Sequence, residues 1–268
     1  MKLLQKLQNK SNLIMGILNA TPDSFSDGGL YLDPHRALDH VHQMIESGAD
    51  IIDIGGESSR PGAKPILASE ELLRIMPIIK LIKSKTNVLL SIDTYKAEVM
   101  EKVLDMGVDL INDIKALSDG NALEVVSGYS DAMICLMHMQ GEPQSMQNNP
   151  IYTKSVETTV KDFLTERICQ CGQMGIASER IIIDPGFGFG KTFEDNWRLY
   201  QEINKLVDMN YPVLIGLSRK SMLKNLVGTD AKFLDEASAF FAKQLLSQGA
   251  RIIRTHNVTV TKKYLEGH

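Results

Sequence analysis

The sequence predicts a single α/β domain folded as a (β/α)8 barrel, with an open doubly wound sheet as the alternative architecture. Three observations carry this prediction. Eight short apolar runs alternate with amphipathic stretches along the 268 residues. The runs are continuously apolar rather than alternating, as strands buried on both faces require. A helix–glycine–strand phrase also recurs, at Ser47-Gly48-Ala49-Asp50, Met106-Gly107-Val108-Asp109 and Gln248-Gly249-Ala250-Arg251, with Gly placed where a helix ends. Strands alternating with helices imply parallel βαβ units, and eight such units in a chain of this length favour closure into a barrel.

The expected strands are LIMGIL (13–18), DIIDI (50–54), VLLSI (88–92), DLIN (109–112), AMICLM (132–137), RIIID (180–184), PVLIG (212–216) and RIIRT (251–255). Between them, spacings of three and four residues mark helix faces, first at Ala37, Leu38, Val41, Met44 and Ile45, then at Leu72, Leu73, Met76, Ile79 and Ile82. No linker or low-complexity stretch interrupts the pattern, so residues 1–268 read as one domain. Hydrophobic residues make up 43% and charged residues 23%, enough for a large core. A formal net charge of -4 gives no reason to expect nucleic acid as a partner. The N-terminal stretch is apolar only briefly before Asn19, which makes a poor signal peptide, and no run approaches the roughly 18–20 apolar residues of a membrane helix. Cys135, Cys169 and Cys171 match neither a disulfide framework nor a zinc spacing, and Cys135 lies in an apolar run that suits a buried thiol. The expected compartment is the cytoplasm, with no membrane partner.

In a barrel of this kind, chemistry sits at the carboxyl ends of the strands and in the loops that follow. Read in order, those ends are Asn19 to Gly29, Gly55 to Gly62 (GGESSRPG), Asp93-Thr94, Asn112-Asp113, Met137 to Gly141, Asp184 to Lys191 (DPGFGFGK), Gly216 to Ser221 (GLSRKS) and Arg254 to Asn257. Taken singly, each polar residue suits a turn or a helix cap equally well. Turn chemistry does not explain why polar groups end nearly every strand when a barrel gathers those ends on one rim. Arg60, Lys220, Arg254 and His256 form a cationic set suited to pyrophosphate or a carboxylate. Asn19 offers a neutral oxygen compatible with Mg2+. Asp93, Asn112 and Asp184 can hydrogen-bond a flat, amino-substituted heterocycle, and Met137 and Phe187 can wall it. No Ser-His-Asp or Cys-His arrangement is visible. Pro185 to Thr192 nearly fits a phosphate-binding loop, but its first position is proline, which has no amide hydrogen.

These motifs together resemble the successive signatures of the dihydropteroate synthase family: MGILNATPDSFSDGG, DIGGESSRPG, SIDTYKAEVM, IND, MHMQG, IIDPGFGFGK, GLSRKS and RTHNV, in the family's order from Met15 to Val258. The resemblance implies a pterin-binding TIM barrel. Its reaction joins 6-hydroxymethyl-7,8-dihydropterin pyrophosphate to 4-aminobenzoate by dissociative substitution. Asp93, Asn112, Asp184 and Lys220 then hold the pterin, with Asp53 lining or supporting that pocket. Asn19, Arg60, Arg254 and His256 face the pyrophosphate, with Mg2+ at Asn19. Phe25, Asp27, Ser59, Arg60, Pro61, Phe187, Lys220 and Ser221 shape the aminobenzoate site. Lys220, Asp184, Arg254, His256 and Arg60 are the residues expected to carry catalysis. A helix starting near Ser221 is expected to receive the aminobenzoate carboxylate.

The chain departs from the family pattern at Ser59, where Thr is usual, and at Asn257, where Asp is common. If that Asp orients the neighbouring His, Asn257 is expected to orient His256 less strongly. The short tail after Val258 predicts a stunted last helix, with the lower barrel seam partly open or covered by a second subunit. The family is commonly dimeric, and Phe240, Phe241 and Leu245 are candidates for a homodimer contact, although core packing competes for each. Two alternatives to the synthase are a pterin-dependent methyltransferase domain and a non-catalytic pterin-binding protein. Arg60, Lys220 and the Arg254–His256 pair favour the synthase, because neither alternative has a pyrophosphate to expel.

Overall fold

In the computed structural model, residues 1–21 and 33–267 are described. The strands are β1 (Leu13–Asn19), β2 (Ile51–Gly55), β3 (Leu89–Asp93), β4 (Leu110–Asp113), β5 (Met133–Met137), β6 (Ile181–Asp184), β7 (Leu214–Ile215) and β8 (Ile252–Thr255). Each falls on one of the expected runs. The helices are α1 (Lys2–Asn9), α2 (Pro34–Glu46), α3 (Ala68–Lys85), α4 (Ala97–Asp105), α5 (Ala122–Ser127), α6 (Val156–Gln173), α7 (Phe193–Gln201), α8 (Asn204–Val207), α9 (Ser221–Val227), α10 (Ala231–Ser247) and α11 (Val258–Glu266). Gly48, Gly107 and Gly249 take φ of 101°, 69° and 107°. Each ends a helix in the left-handed region, where a side chain is strained, and this is the physical content of the repeated helix–glycine–strand phrase.

All pairings in the eight-stranded sheet are parallel, in the order β6-β5-β4-β3-β2-β1-β8-β7. The circle closes through a parallel bridge between Ile183 and Val213, beside the Ile183 amide donating to the Pro212 carbonyl at 3.0 Å. That seam excludes the open sheet. Side chains alternate along a strand, so each strand sends one set inward and the other toward the helices. The outward set, including Ile14, Ile52, Leu90, Ile111, Ile134, Ile183 and Ile253, packs under the helix ring. The inward set begins at the bottom with Leu13, Met15, Ile51, Leu89, Leu110, Met133, Cys135, Ile182, Leu214 and Ile252. Leu3 and Leu7 of α1 pack into this layer and plug the lower end. The same alternation carries Asn19, Asp93, Asn112, Met137, Asp184 and Arg254 inward one step higher, at the carboxyl mouth.

Several expectations are corrected. On α3 the buried face is Glu71, Ile75, Ile78, Ile79 and Ile82, whereas Leu73 is 65% exposed. The helix is rotated relative to the expected face because Ile75 and Ile78 supply the inward stripe. The lower barrel is sealed by α1 rather than left open for a second subunit, and α11 is short but packs against α10 and β1. Leu245 is fully buried, Phe241 stacks edge-on with Trp197 and Tyr200, and Phe240 remains 48% exposed. All three cysteines are free, and Cys135 sits inside the barrel. No helix of the described residues is long and apolar enough to cross a membrane.

Candidate active site

The mouth of the barrel holds a cavity of about 660 Å³. Its lining includes Asn19, Ser59, Arg60, Pro61, Asp93, Asn112, Met137, Asp184, Lys220, Ser221, Arg254 and His256, contributed by all eight strand ends or their loops. The expected residues that are described therefore converge, with two exceptions. Asp53 lies one layer below the floor, fully buried, and supports the site rather than lining it. Phe187 points away: its ring is fully buried in the outer core, and Phe189 provides the apolar wall instead, with Met137, Met146 and Ile114 beside it. The alternation of the DPGFGFGK loop decides between the two rings, and it cannot be read from an irregular segment of sequence. Phe25 and Asp27 lie outside the described residues.

The floor is an ion-pair lattice. Arg254 Nε donates to Asp53 Oδ2 at 2.6 Å and Nη2 donates to Asp93 Oδ2 at 2.9 Å. Ser91 Oγ donates to Asp53 Oδ1 at 2.5 Å and Asn112 Nδ2 reaches Asp53 Oδ2 at 3.3 Å. Asp53 is thus satisfied from three strands, which holds Arg254 and Asn112 in fixed poses, as a buried carboxylate requires. Burial opposes the Arg254 charge, but Asp53 and Asp93 more than offset it, and the guanidinium stays cationic. Burial pushes the Asp93 carboxyl up to about 7, Arg254 acting against the shift and Asp53 adding to it. Burial likewise raises Asp184, with Lys220 opposing, and it pulls Lys220 down to about 8, with Asp184 opposing. Asp93 and Lys220 are drawn toward a common range near neutrality, a condition under which protons are shared cheaply with a bound heterocycle.

Lys220 is held by the loop after β6. Its Nζ donates to the Phe187 carbonyl and lies 4.3 Å from the centre of the Phe189 ring. That loop is shaped by Lys191, the lysine of the Pro185–Thr192 near-match to a phosphate loop. Lys191 is 2% exposed, and its Nζ donates to the carbonyls of Gly186 (2.9 Å), Phe189 (3.1 Å) and His138 (3.3 Å). The loop therefore turns carbonyls, not amides, toward its lysine and forms no phosphate cradle. Gly186 and Gly190 are required here: both have positive φ, and a Cβ would sit 1.9 Å from the His138 carbonyl oxygen and 2.2 Å from that of Gln140. Only glycine lets the β5 and β6 loops approach this closely.

Two further supports were not legible in the sequence. Arg219 adopts a left-handed φ of 59°, secured by paired bonds from Nε and Nη2 to Asp235 at 2.7 and 2.8 Å. Asn257 caps α11 through Val260 and donates to Asp235 Oδ2 at 2.9 Å. Asn257 therefore does not orient His256; that contact belongs to Ser218 Oγ, 2.9 Å from Nδ1. The GGESSRPG loop is tethered by Glu57, which accepts the Ile66 amide at 2.9 Å and Lys96 Nζ at 2.6 Å. The Gly62 amide donates to Pro143 at 3.0 Å. These ties hold Ser59, Arg60 and Pro61 over the cavity.

The family model for pterin binding enzymes matches residues 15–256. A dihydropteroate synthase of Haemophilus influenzae is 44% identical over 253 residues, covering 94% of this chain and 91% of that protein. A Yersinia pestis dihydropteroate synthase solved with a sulfonamide drug superposes with a TM-score of 0.88 at 40% identity, covering 95% of this chain and 91% of that one. A Burkholderia cenocepacia dihydropteroate synthase complexed with 7,8-dihydropteroate gives 0.84 at 41% identity, covering 95% and 89%. With eight strand ends delivering the same motifs to one cavity, the chain belongs to the pterin binding enzymes and, within them, to the dihydropteroate synthase family of transferases in folate biosynthesis.

Proposed function

We propose that this cavity condenses 6-hydroxymethyl-7,8-dihydropterin pyrophosphate with 4-aminobenzoate to give 7,8-dihydropteroate and pyrophosphate. The observation that carries this reading is the single cavity lined by Asp93, Asn112, Asp184, Lys220 and Arg254 together. Its volume suits two small flat substrates side by side. Asp184, Asp93 and Asn112 supply acceptors and a donor for the amino-pyrimidine edge, and Met137 packs on the ring. Pyrophosphate leaves with the C–O electron pair, and the methylene left behind carries cation character stabilised by the electron-rich ring. Arg60, His256 and the outer face of Arg254 neutralise the departing anion. The aryl amine then attacks the methylene carbon and loses its proton, so no enzyme nucleophile is needed. Its carboxylate lies toward Ser221, and Ser59, Pro61 and Phe189 confine the ring.

Asn19 gives the cavity one neutral oxygen, and the described residues contain no cluster of three or more acidic, His or Cys side chains that would hold a metal. That donor set fits a Mg2+ carried mainly by pyrophosphate oxygens and water, which would supply additional charge neutralisation. The chain is further proposed to act in the cytoplasm, where its free cysteines stay reduced, and to pair as a homodimer around the exposed Phe240. Sedimentation of Phe240→Glu is expected to show monomer where the unmodified chain shows dimer; an unchanged dimer rejects that face.

The central test is pyrophosphate release by purified protein with both substrates, with and without Mg2+. Lys220→Ala is expected to lower kcat/KM on the order of 100-fold or more, since it removes a charge-assisted contact and the prop on the Phe187 carbonyl. Near-normal turnover removes Lys220 from the site, and no pyrophosphate release by the unmodified protein rejects the reaction.

A further inference from the structure

The turn between β7 and α9 contributes Lys220 to the site, but Ser218 beside it touches neither reacting group. Ser218 is 8% exposed. Its Oγ lies 3.1 Å from the backbone nitrogen of His256 and 2.9 Å from His256 Nδ1. The first contact occupies one lone pair of the hydroxyl and leaves its hydrogen to be placed. A backbone N–H can only donate, so Ser218 Oγ accepts there. The hydroxyl still has one hydrogen to place, and His256 Nδ1 is the acceptor it meets among the described residues. A buried hydroxyl hydrogen left unpaired is costly. Satisfying that hydrogen has the bond run from Ser218 to Nδ1, and the imidazole proton then sits on Nε2.

We infer that Ser218 is a positioning residue that holds His256 as its Nε2–H tautomer, presenting a neutral N–H donor to the departing anion. The inference rests on the reading of this cavity as one that expels pyrophosphate. His256 lines the cavity, and Nε2 has no hydrogen bond to a described residue. Burial pulls the ring's pKa down to about 3, helped by the facing charges of Arg254, Arg219 and Arg60, with Asp235 opposing. At working pH the ring therefore carries a single N–H, and its position decides whether the cavity meets a donor or a lone pair. A lone pair against a phosphate oxygen repels it. The supporting tie is also specific in distance: the Ser218 turn is anchored through Arg219, whose amide donates to Ser238 Oγ at 3.2 Å.

The test is long-range proton–nitrogen correlation on the full chain labelled with 15N-histidine, the His256 signals being those lost in His256→Gln. The expected spectrum shows His256 neutral from pH 5 to pH 8, with Nε2 protonated and Nδ1 bare. A wild-type Nδ1–H tautomer overturns the inference without any measurement of activity. Ser218→Ala is expected to release the ring to a mixture of tautomers and to raise KM for the pterin pyrophosphate about tenfold, the order expected of one charge-assisted hydrogen bond. KM for 4-aminobenzoate should change little. Ser218→Thr, which keeps the hydroxyl, should restore both the spectrum and KM. An unaltered tautomer in Ser218→Ala, or equal losses in Ser218→Thr and Ser218→Ala, overturns the role. If the protein releases no pyrophosphate at all, the proposed reaction fails while the spectra still decide what Ser218 does.

Discussion

Lys191 shows how one buried cation can organise a loop without touching substrate. Burial, with Lys220 nearby, pulls its pKa down to about 7. Its ammonium nonetheless satisfies three carbonyls that fold the β6 loop under Lys220. Lys191→Met removes the donor and leaves those carbonyls unpaired, at a cost on the order of 3 kcal/mol by urea unfolding. A cost under about 0.5 kcal/mol would deny it this function. The pH dependence carries a defined sign. The native value near 7 lies below the unfolded lysine value of 10.5, so above pH 7 the unfolded chain holds a proton the native chain has shed. Stability is expected to rise from pH 8 to pH 9, above the range near 7 where the buried Asp93 and Asp113 carboxyls titrate with the opposite sign, by at most about 1.4 kcal/mol per pH unit for each such proton. Lys220, shifted in the same direction, adds to the slope. Lys191→Met should flatten it, and an unchanged slope would count against the buried amine. The lysine was visible in the sequence, but its role was not, because a carbonyl cage depends on backbone turns that no residue pattern encodes.

At the level of elements, the site depends on how α10 braces the turn after β7. Asp235 on α10 receives both Arg219 and Asn257 and so ties the turn to α11 as well. Removing it leaves the left-handed backbone at Arg219 without its clamp. Asp235→Ala is expected to cost about 1–2 kcal/mol, at the low end of paired charges because the Arg219 side chain is 40% exposed. Activity should fall with it, since Lys220 follows Arg219 directly; calorimetry and turnover measured on the same preparation check the two effects. Full activity with lowered stability would confine the clamp to folding. The end of α10 was readable from its glycine stop at Gly249, and the role of Asp235 was not, because its two partners lie 16 and 22 residues away and meet only in the folded chain.

Across the whole molecule, the barrel is sealed at one end so that it can be open at the other. Leu3 and Leu7 are 0% and 4% exposed beneath the lowest inward layer. Leu3→Ala opens a cavity in that layer and is expected to lower stability by about 2–4 kcal/mol in denaturant titrations; a loss below 1 kcal/mol would show that α1 is only loosely seated. Because the plug is distant from the mouth, KM values at low temperature should stay near those of the unmodified chain. The sequence by itself determined the eight strands, the glycine helix stops and the convergence of Asn19, Arg60, Asp93, Asn112, Asp184, Lys220, Arg254 and His256 on one rim. Each of these follows from local rules: apolar runs, left-handed φ at glycine, and side-chain alternation along a strand. Only the tertiary structure decided that Phe189 rather than Phe187 walls the cavity, that Asp53 props Arg254 from below, that Ser218 rather than Asn257 orients His256, and that α1 closes the base. Those outcomes rest on contacts between segments far apart in the chain, whose geometry is fixed by barrel closure and packing rather than by any residue's neighbours in sequence.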